Sequence, residues 1–273
     1  MTVLRADVAH AATTRWPDLA TTWIDALPTE LDEVCRALAV TPTGRTYRAR
    51  FAHVIEATSS TGAHLVLRSS PDPDAVHQAA VLDRLARADL APAVHRIQQT
   101  RTSTWTAMEA VTPGASFAEN EPSPADLNAV AIMLRALVDQ PGAPEAPSIV
   151  PWLRSRLTDP PADDQPPHRG PADPEVRRAA IAVLDQLADQ TLDALCHADL
   201  SPPNVLSGHS RLWLIDPRGM NGEAAYDIAV LALKLSNDQL DTARSLARSI
   251  AITSGTDADR AEAWATVADA ATV

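Results

Sequence analysis

Lysine is nearly missing from this sequence: of 23 basic residues among 273, Lys234 is the one lysine and the rest are arginines. Cysteine occurs only at Cys35 and Cys196, too few for a disulfide framework, and fits a reducing compartment. The cysteines and histidines show no metal-ligand spacing, which speaks against zinc. No run reaches about 18 apolar residues, so no segment reads as a membrane span. The N-terminus lacks a basic region followed by an apolar run and a cleavage site, so no signal peptide is visible. Positive charge is also short: 23 Lys+Arg face 35 Asp+Glu, a formal net charge of -12. That balance argues against non-specific nucleic-acid binding and against an anionic membrane surface. These exclusions leave the expectation of a cytoplasmic protein that engages neither nucleic acid nor membrane, and the acidic balance is compatible with a cationic small ligand. Its oligomeric state is not readable from the residues.

What is present is an ordinary globular composition, 45% hydrophobic and 21% charged, long enough for one domain or two modest ones. The first 40 or so residues read as helical, with a helix over Asp7–Thr14, a break at Trp16-Pro17 and a second helix from Thr29 to Leu38 after Pro28. Thr41–Thr46 reads as a loop. Tyr47–Thr58 and His64–Arg68 then alternate around Thr61-Gly62, the pattern of an antiparallel hairpin. Asp72 and Pro73 open a helix whose apolar face is Val76, Ala79, Ala80, Leu82 and Leu85. A second hairpin is expected at Val94–Ile97 and Thr104–Glu109. Pro113–Ser116 breaks the pattern and reads as a domain boundary, dividing the chain into 1–112 and 113–273. Beyond it the chain reads as helical. Ser123-Pro124-Ala125-Asp126 is a capping box, Asp173-Pro174 starts another helix, and Arg211–Ile215 is a short strand. The proline-rich stretch 158–173 reads as a loop, either a solvated connection or a substrate-facing one. The coarse expectation is a small sheet domain followed by a larger helical one, with the ligand between them.

The residues that carry chemistry are His197-Ala198-Asp199-Leu200-Ser201-Pro202-Pro203-Asn204, followed by Asp216 at the end of the strand. An aspartate within reach of a hydroxyl orients it and accepts its proton. An asparagine and a second aspartate supply the hard oxygens that Mg²⁺ prefers. The Asp199-to-Asn204 offset permits a tight loop with both side chains facing one cleft, and the apolar strand holds Asp216 rigidly opposite. His197 reads as structural, packed below the loop and hydrogen-bonded to its backbone.

The run HADLSPPNVL followed by WLIDP resembles the catalytic and metal loops of the aminoglycoside phosphotransferase-like kinases. The continuation through Gly222-Glu223 to Tyr226-Asp227 is similar to the streptomycin 6-kinase and hydroxyurea phosphotransferase branch. The specific match covers about thirty residues, the looser one nearly the whole chain. The part after Asp227 looks short for the family. The resemblance implies an α+β, bilobal protein-kinase-like fold with a small antiparallel-sheet N-lobe and a mainly helical C-lobe. It implies Mg²⁺ and ATP or GTP as phosphate donor. Asp199 aligns with the catalytic aspartate, and Asn204 and Asp216 with the metal ligands. Asp227 aligns with a structural aspartate at the start of a helix, where a capping role is sensible. Met108, Glu109, Ala110 and Val111 would form the linker that binds the adenine edge. Gly44, Arg45 and Thr46 would lie in the phosphate-covering loop, although the one glycine also suits a plain hairpin turn.

The sequence departs from this pattern at a pair of positions. The resemblance implies a lysine on the third strand and a glutamate on the next helix, where this chain has Arg68 and Gln78. A guanidinium is planar and forked, and an amide forms no ion pair. Two readings follow: a working small-molecule kinase, or a kinase-like nucleotide- or ligand-binding protein with little transfer activity. For the acceptor, the resemblance points to a hydroxyl of a small cationic molecule, an aminoglycoside or aminocyclitol antibiotic or a related natural product. Asp159, Asp163, Asp164 and Glu223 could hold such a cation. Trp152 and Arg156 could line the acceptor side, with a helix-core role for Trp152 equally open.

Overall fold

The computed structural model describes residues 4–138, 140–161, 169–191 and 193–273. The chain opens with two helices, α1 (Ala6–Arg15) and α2 (Pro17–Leu38). Helix α2 begins earlier than its residues suggest and runs straight through Pro28. A proline inside a helix costs about 3 kcal/mol. Here the buried stripe Trp23, Leu27, Leu31 and Val34 spans the proline and packs on a sheet, and such packing outweighs local propensity.

That sheet has five antiparallel strands in the order β1-β2-β3-β5-β4: β1 Val40–Thr46, β2 His53–Ser59, β3 His64–Ser70, β4 Val94–Gln99 and β5 Thr104–Glu109. Helix α3 (Ala75–Arg87) connects β3 to β4. Both expected hairpins are present, one around Thr61-Gly62. The segment expected as a loop over 41–46 is instead strand β1, irregular between Pro42 and Thr46, with Gly44 at a φ of +88°. The turn joining β1 to β2 is therefore residues 47–52.

The strand period of two sorts side chains between two environments. Ile55, Ala57, Leu65, Leu67, Trp105 and Ala107 pack under α1 and α2. Val66 and Met108, on the opposite face, join a second cluster with Val81, Leu82 and Leu85 of α3 and the helical C-terminal half. The alternation thereby turns Arg68 toward that second face.

One acidic residue fastens α2 to the sheet. Glu30 is buried and accepts from Thr102 Oγ1 at 2.7 Å, Ser103 Oγ at 2.7 Å and Trp105 Nε1 at 3.0 Å. Trp23 Nε1 donates to Ser69 Oγ at 3.0 Å, and Ser69 Oγ to Ser103 Oγ at 3.1 Å, so both helix tryptophan and glutamate close one network.

Beyond the sheet, β6 (Pro113–Ser116) pairs with β8 (Val205–Gly208), which pairs with β9 (Leu212–Leu214). The stretch expected as a boundary is thus itself paired to the hairpin that follows Asn204. A two-stranded pair, β7 (Ala194–Leu195) and β10 (Asn221–Gly222), leads into and out of the same region. Around them lie α4 (Pro124–Arg135), α5 (Ile149–Thr158), α6 (Pro174–Ala188), α7 (Ala224–Leu235), α8 (Leu240–Ser254) and α9 (Ala258–Ala270). The Ser123/Asp126 capping box forms as expected. Asp173 precedes Pro174 without a side-chain cap bond, and α3 starts at Ala75 rather than at Pro73. Helix α7 is buried on all sides from Ala224 to Leu233, the mark of a central core helix. No helix among the described residues is long and apolar enough to cross a membrane. Cys35 and Cys196 are both free and buried.

Burial pushes the Glu30 carboxyl up, but its bonds from Thr102, Trp105 and Ser103 hold it below the usual carboxylate range. That stabilisation is present above the unfolded-state value and fades as pH falls through the folded one. Glu30→Gln is expected to cost about 1–2 kcal/mol near neutral pH. Denaturant melts should show this deficit at pH 7 and a narrowing gap as the pH falls below 4 or so. An equal midpoint at pH 7 would assign the fastening to the tryptophans alone.

Candidate active site

The loop from His197 to Asn204 leaves β7 and ends in a single 3-10 turn, Pro202–Asn204. Asp227, fully buried in the first turn of α7, shapes it. Its carboxylate accepts from the amides of His197 and Ala198, each at 2.8 Å, and from the Cys196 thiol at 3.3 Å. Asp227 was expected as a cap of its own helix. It instead collects the amides of the His197–Asn204 loop, beside Ala198 in the left-handed region at a φ of +63°. Burial pushes the Asp227 carboxyl up and the Cys196 thiol well up, so the thiol stays protonated and donates.

His197 is buried beneath the loop, where its backbone-bonding role was expected. Its Nδ1 accepts from the Asp199 amide at 3.3 Å and its Nε2 lies 2.8 Å from the Ile215 carbonyl. Burial lowers its pKa, so the ring is neutral and Nε2 carries the donated proton. The ring thereby ties the strand end before Asp216 to the loop that carries Asp199. Asn204 adds a second tie: its Nδ2 donates to the Asp199 carbonyl at 2.8 Å, and its own carbonyl accepts from the Ile215 amide at 3.0 Å.

Asp216 stands just past this tie in the left-handed region, at a φ of +56°. Its side chain is 46% exposed and faces Arg68, whose Nη2 lies 2.8 Å from Asp216 Oδ1. The same Nη2 donates to Gln78 Oε1 at 2.9 Å, and Gln78 Nε2 donates to Asp72 Oδ2 at 2.9 Å. Arg218 Nη2 approaches Asp199 Oδ2 at 3.6 Å, and its guanidinium lies 4.8 Å from the Trp152 ring centre. Burial pushes the Asp72 carboxyl up, against the pull of the Asp74 amide, Gln78 and Arg68.

These groups surround one cavity of about 310 Å³, lined by Arg68, Gln78, Asp72, Asp199, Asp216 and Arg218 among others. Its remaining walls include Trp152 and Met220 on one side, Ala49–Ala52 of the β1–β2 turn on another, and Arg15 and Trp16 from the α1–α2 corner. Asn204 Oδ1 and the Asp216 carboxylate are hard oxygens suited to a magnesium ion. The Asn204 amide nitrogen is committed to Asp199, which leaves the oxygen end for a cation. No group of three His, Cys, Asp or Glu side chains among the described residues forms a metal site by itself. An ion held here would therefore complete its shell with phosphate oxygens and water.

Several expected residues lie elsewhere. Gly44, Arg45 and Thr46 belong to β1, where Arg45 pairs with Glu56 at 3.3 Å and stacks on Tyr47; the turn at the cavity is 47–52 and has no glycine. Met108 is buried at the end of β5. Glu109, Ala110 and Val111 border a separate hollow of about 220 Å³ with Pro92 and Trp213. The amides of Glu109 and Ala110 already serve Ala93 and His64. Glu223 is spoken for by Arg260, at 2.7 Å, and by the Trp264 indole. Arg156 is buried and donates to the carbonyls of Ala271 and Thr272 at 3.1 and 2.9 Å, clamping the C-terminal end. Asp159 is exposed at the end of α5 and outside the cavity wall. Asp163 and Asp164 lie outside the described residues. Trp152 does reach the cavity. The reading from sequence missed Arg218, although it stands within the quoted motif, and Asp72, which looked like a helix cap. Arg15 and Trp16 carried no signal, because only the tertiary fold brings them to the cleft.

No curated protein sequence matches this chain. Among solved structures, Plasmodium vivax ethanolamine kinase aligns at 15% identity over 85% of this chain and 74% of its own, with a TM-score of 0.60. The aminoglycoside-3'-phosphotransferase of type VIII aligns at 19% identity over 88% of this chain and 98% of its own, with a TM-score of 0.56. An amicoumacin kinase in complex with AMP-PNP, Ca²⁺ and Ami aligns at 13% identity over 82% and 76%, with a TM-score of 0.53. These likenesses establish the kinase-like α+β fold, with the sheet as the small lobe and the helices as the large one. The model of the phosphotransferase enzyme family matches residues 46–264, and the chain belongs to that family.

Proposed function

We propose that this chain is a small-molecule kinase that transfers the γ-phosphoryl group of ATP or GTP to an acceptor hydroxyl. The observation that carries this reading is the meeting of Asp199, Asp216 and Arg68 in one cleft, with Asn204 bonded to the backbone of Asp199 and of Ile215, the residue before Asp216. Asp199 orients the acceptor hydroxyl and takes its proton onto a carboxylate oxygen as the new O–P bond forms and the β–γ bridging bond breaks. Arg218 steadies that carboxylate from the side and is itself stacked on Trp152. Arg68 receives the phosphates. Asn204 and Asp216 would hold Mg²⁺, which when bound would supply charge neutralisation to the phosphate oxygens. The Arg68–Asp216 pair fits this use. A cation can replace Arg68 at Asp216, and a phosphate can replace Asp216 at Arg68, so each charge exchanges one partner for another of the same sign.

The donor reading draws support from the amicoumacin kinase, whose structure holds AMP-PNP and Ca²⁺. Residues 1–112 and 113–273 act as the two lobes in this reading, and Met108–Val111, at the end of the first, form the linker. A cytoplasmic place, with its triphosphate supply, follows from the same activity. The acceptor class rests on the streptomycin 6-kinase and hydroxyurea phosphotransferase resemblance around Gly222–Asp227, and a cationic aminocyclitol or related antibiotic is its first candidate. The second reading, a nucleotide-binding protein with little transfer, is favoured only by the Arg68–Gln78 departure. The intact Asp199, Asn204 and Asp216 weigh against it.

The direct test is Mg²⁺-dependent release of ADP or GDP across a panel of aminoglycosides, basic peptide antibiotics and nucleosides, with mass analysis for a product heavier by one phosphate. Asp199→Ala is expected to lower turnover by about 10²–10⁴-fold, the usual worth of a positioned base, with nucleotide affinity within about threefold of wild type. Wild-type turnover in that variant would remove Asp199 from the mechanism. Arg68→Ala is expected to weaken nucleotide affinity by at least about tenfold, in line with loss of a charge-assisted bond. Unchanged affinity by calorimetry would show that the phosphates lie elsewhere. Chelation with EDTA should stop turnover and added Mg²⁺ restore it; transfer that persists in EDTA would exclude the Asn204–Asp216 pair as a required ion site.

A further inference from the structure

Arg68 lacks a carboxylate on α3, because Gln78 occupies the place where the sequence comparison leads one to look for it. A neutral amide oxygen orients a guanidinium but offers it no countercharge. Asp216 faces Arg68 directly across the cleft at 2.8 Å; on the α3 side the structure supplies a countercharge one step further away. Gln78 is bonded at both ends of its amide, accepting from Arg68 at 2.9 Å through Oε1 and donating to Asp72 Oδ2 at 2.9 Å through Nε2. An amide held so is polarised toward the arginine, and its alternative flip would present an N–H to a guanidinium and an oxygen to a carboxylate. Only one orientation satisfies both neighbours.

Asp72 is itself anchored. Its Oδ1 accepts from the Asp74 amide at 2.9 Å, and its own amide donates to Ser70 Oγ at 3.2 Å. Ser70 Oγ donates in turn to the carbonyl of Phe51, in the turn that borders the cavity, at 3.0 Å. The far side of Gln78 is fixed by close packing. A Cβ on Gly219, three residues beyond Asp216, would come within 2.5 Å of the Gln78 nitrogen and 2.7 Å of the His77 carbonyl carbon. The first turn of α3 therefore rests directly on the backbone that follows Asp216, and Gly219, at a φ of +84°, is what permits it.

We propose that Asp72, acting through Gln78, is the positioning carboxylate that sets Arg68 in its phosphate-facing place, so that the countercharge resides in the β3–α3 turn rather than on the helix. The line Asp72–Gln78–Arg68–Asp216 then joins the β3–α3 turn, the helix, the strand and the metal loop through two hydrogen bonds and one ion pair. An arginine suits this arrangement, since one face of its fork meets Gln78 and Asp216 while its other nitrogens remain for phosphate oxygens. The inference rests on the phosphotransferase reading and names the group that makes its altered pair serviceable.

The test is calorimetric titration of the full chain with MgATP and MgGTP, together with nucleotide KM and kcat once an acceptor is in hand. Asp72→Ala and Gln78→Ala are each expected to weaken nucleotide affinity about tenfold, and the double variant by no more than either alone, because they break the same series. Gln78→Glu in the Asp72→Ala background is expected to return affinity to within about threefold of wild type, with nucleotide KM moving and kcat nearly constant. Asp72→Asn keeps the shape and removes the charge, and is expected to lose several-fold affinity even if Asp72→Ala fails to fold. Additive losses, no rescue by Gln78→Glu, or wild-type affinity in Asp72→Asn would each overturn the proposal while leaving the phosphotransferase reading intact. A wild-type chain that binds neither nucleotide would overturn that reading and this inference with it.

Discussion

The His197–Asn204 loop hangs on a carboxylate that no solvent reaches. Asp227 is buried at the start of α7, and a bare charge there would be costly. It is tolerated because the amides of His197 and Ala198 and the Cys196 thiol all point at it. The positive end of the α7 dipole lies within the same turn. In return, the carboxylate fixes a backbone that would not otherwise keep Ala198 in the left-handed region. His197 then carries the constraint onward to Ile215, and Asn204 carries it to Asp199. Removal of Asp227 would leave amides unpaired inside the core and release Asp199 and Asp216 together.

Charge in the cleft is managed almost wholly by arginine. Arg68 and Arg218 each face one carboxylate of the cleft, Asp216 at 2.8 Å and Asp199 at 3.6 Å. A lysine is a compact point charge that serves one partner at a time, whereas a guanidinium spreads several donors in a plane. That geometry lets Arg68 donate to Gln78 and pair with Asp216 through the same nitrogen, and lets Arg218 stack on Trp152 while it approaches Asp199. The shortage of lysine across the chain is therefore matched by sites whose shape depends on a planar cation. A simple Arg68→Lys exchange would lose the fork that this cleft is built around.

The parts legible from sequence are those whose signals are local. The β2–β3 hairpin follows from alternation around Thr61-Gly62, and the start of α4 from the Ser123–Asp126 box. Asp199 and Asp216 line one cavity, and Asn204 is bonded to the backbone of both segments, an approach that the spacing of a loop and a strand end constrains locally. The losses have a common cause in partners far along the chain. Glu223 looked like a free acid, but Arg260, 37 residues later, neutralises it. Arg156 looked like an acceptor contact, but the carbonyls of Ala271 and Thr272 claim it. Strand β1 was hidden by Pro42 and Gly44, which weaken any local strand signal, and is supplied by pairing with β2. Helix α2 crosses Pro28 for the reason that a buried tryptophan and three aliphatic side chains hold both halves against the sheet.

With 41–46 paired as strand β1, the turn that borders the cavity is 47–52, and its residues meet a different physical demand. A glycine-rich loop approaches phosphates through its bare backbone; a turn of Tyr47, Arg48, Ala49, Arg50, Phe51 and Ala52 has no such freedom. It must be held in place and must act through side chains. Both conditions have visible means. Phe51 packs edge-on against Trp16 with ring centres 5.2 Å apart, and its carbonyl accepts from Ser70. Arg50 lies over the Phe51 ring at 4.7 Å and lines the cavity together with Arg15. Trp16 and Arg15 precede the stretch matched by the family, which begins at residue 46. The N-terminal helices are thus not an appendage to the sheet. They cover its outer face through Trp23 and Glu30, and their corner closes the cleft over a turn that cannot rely on glycine.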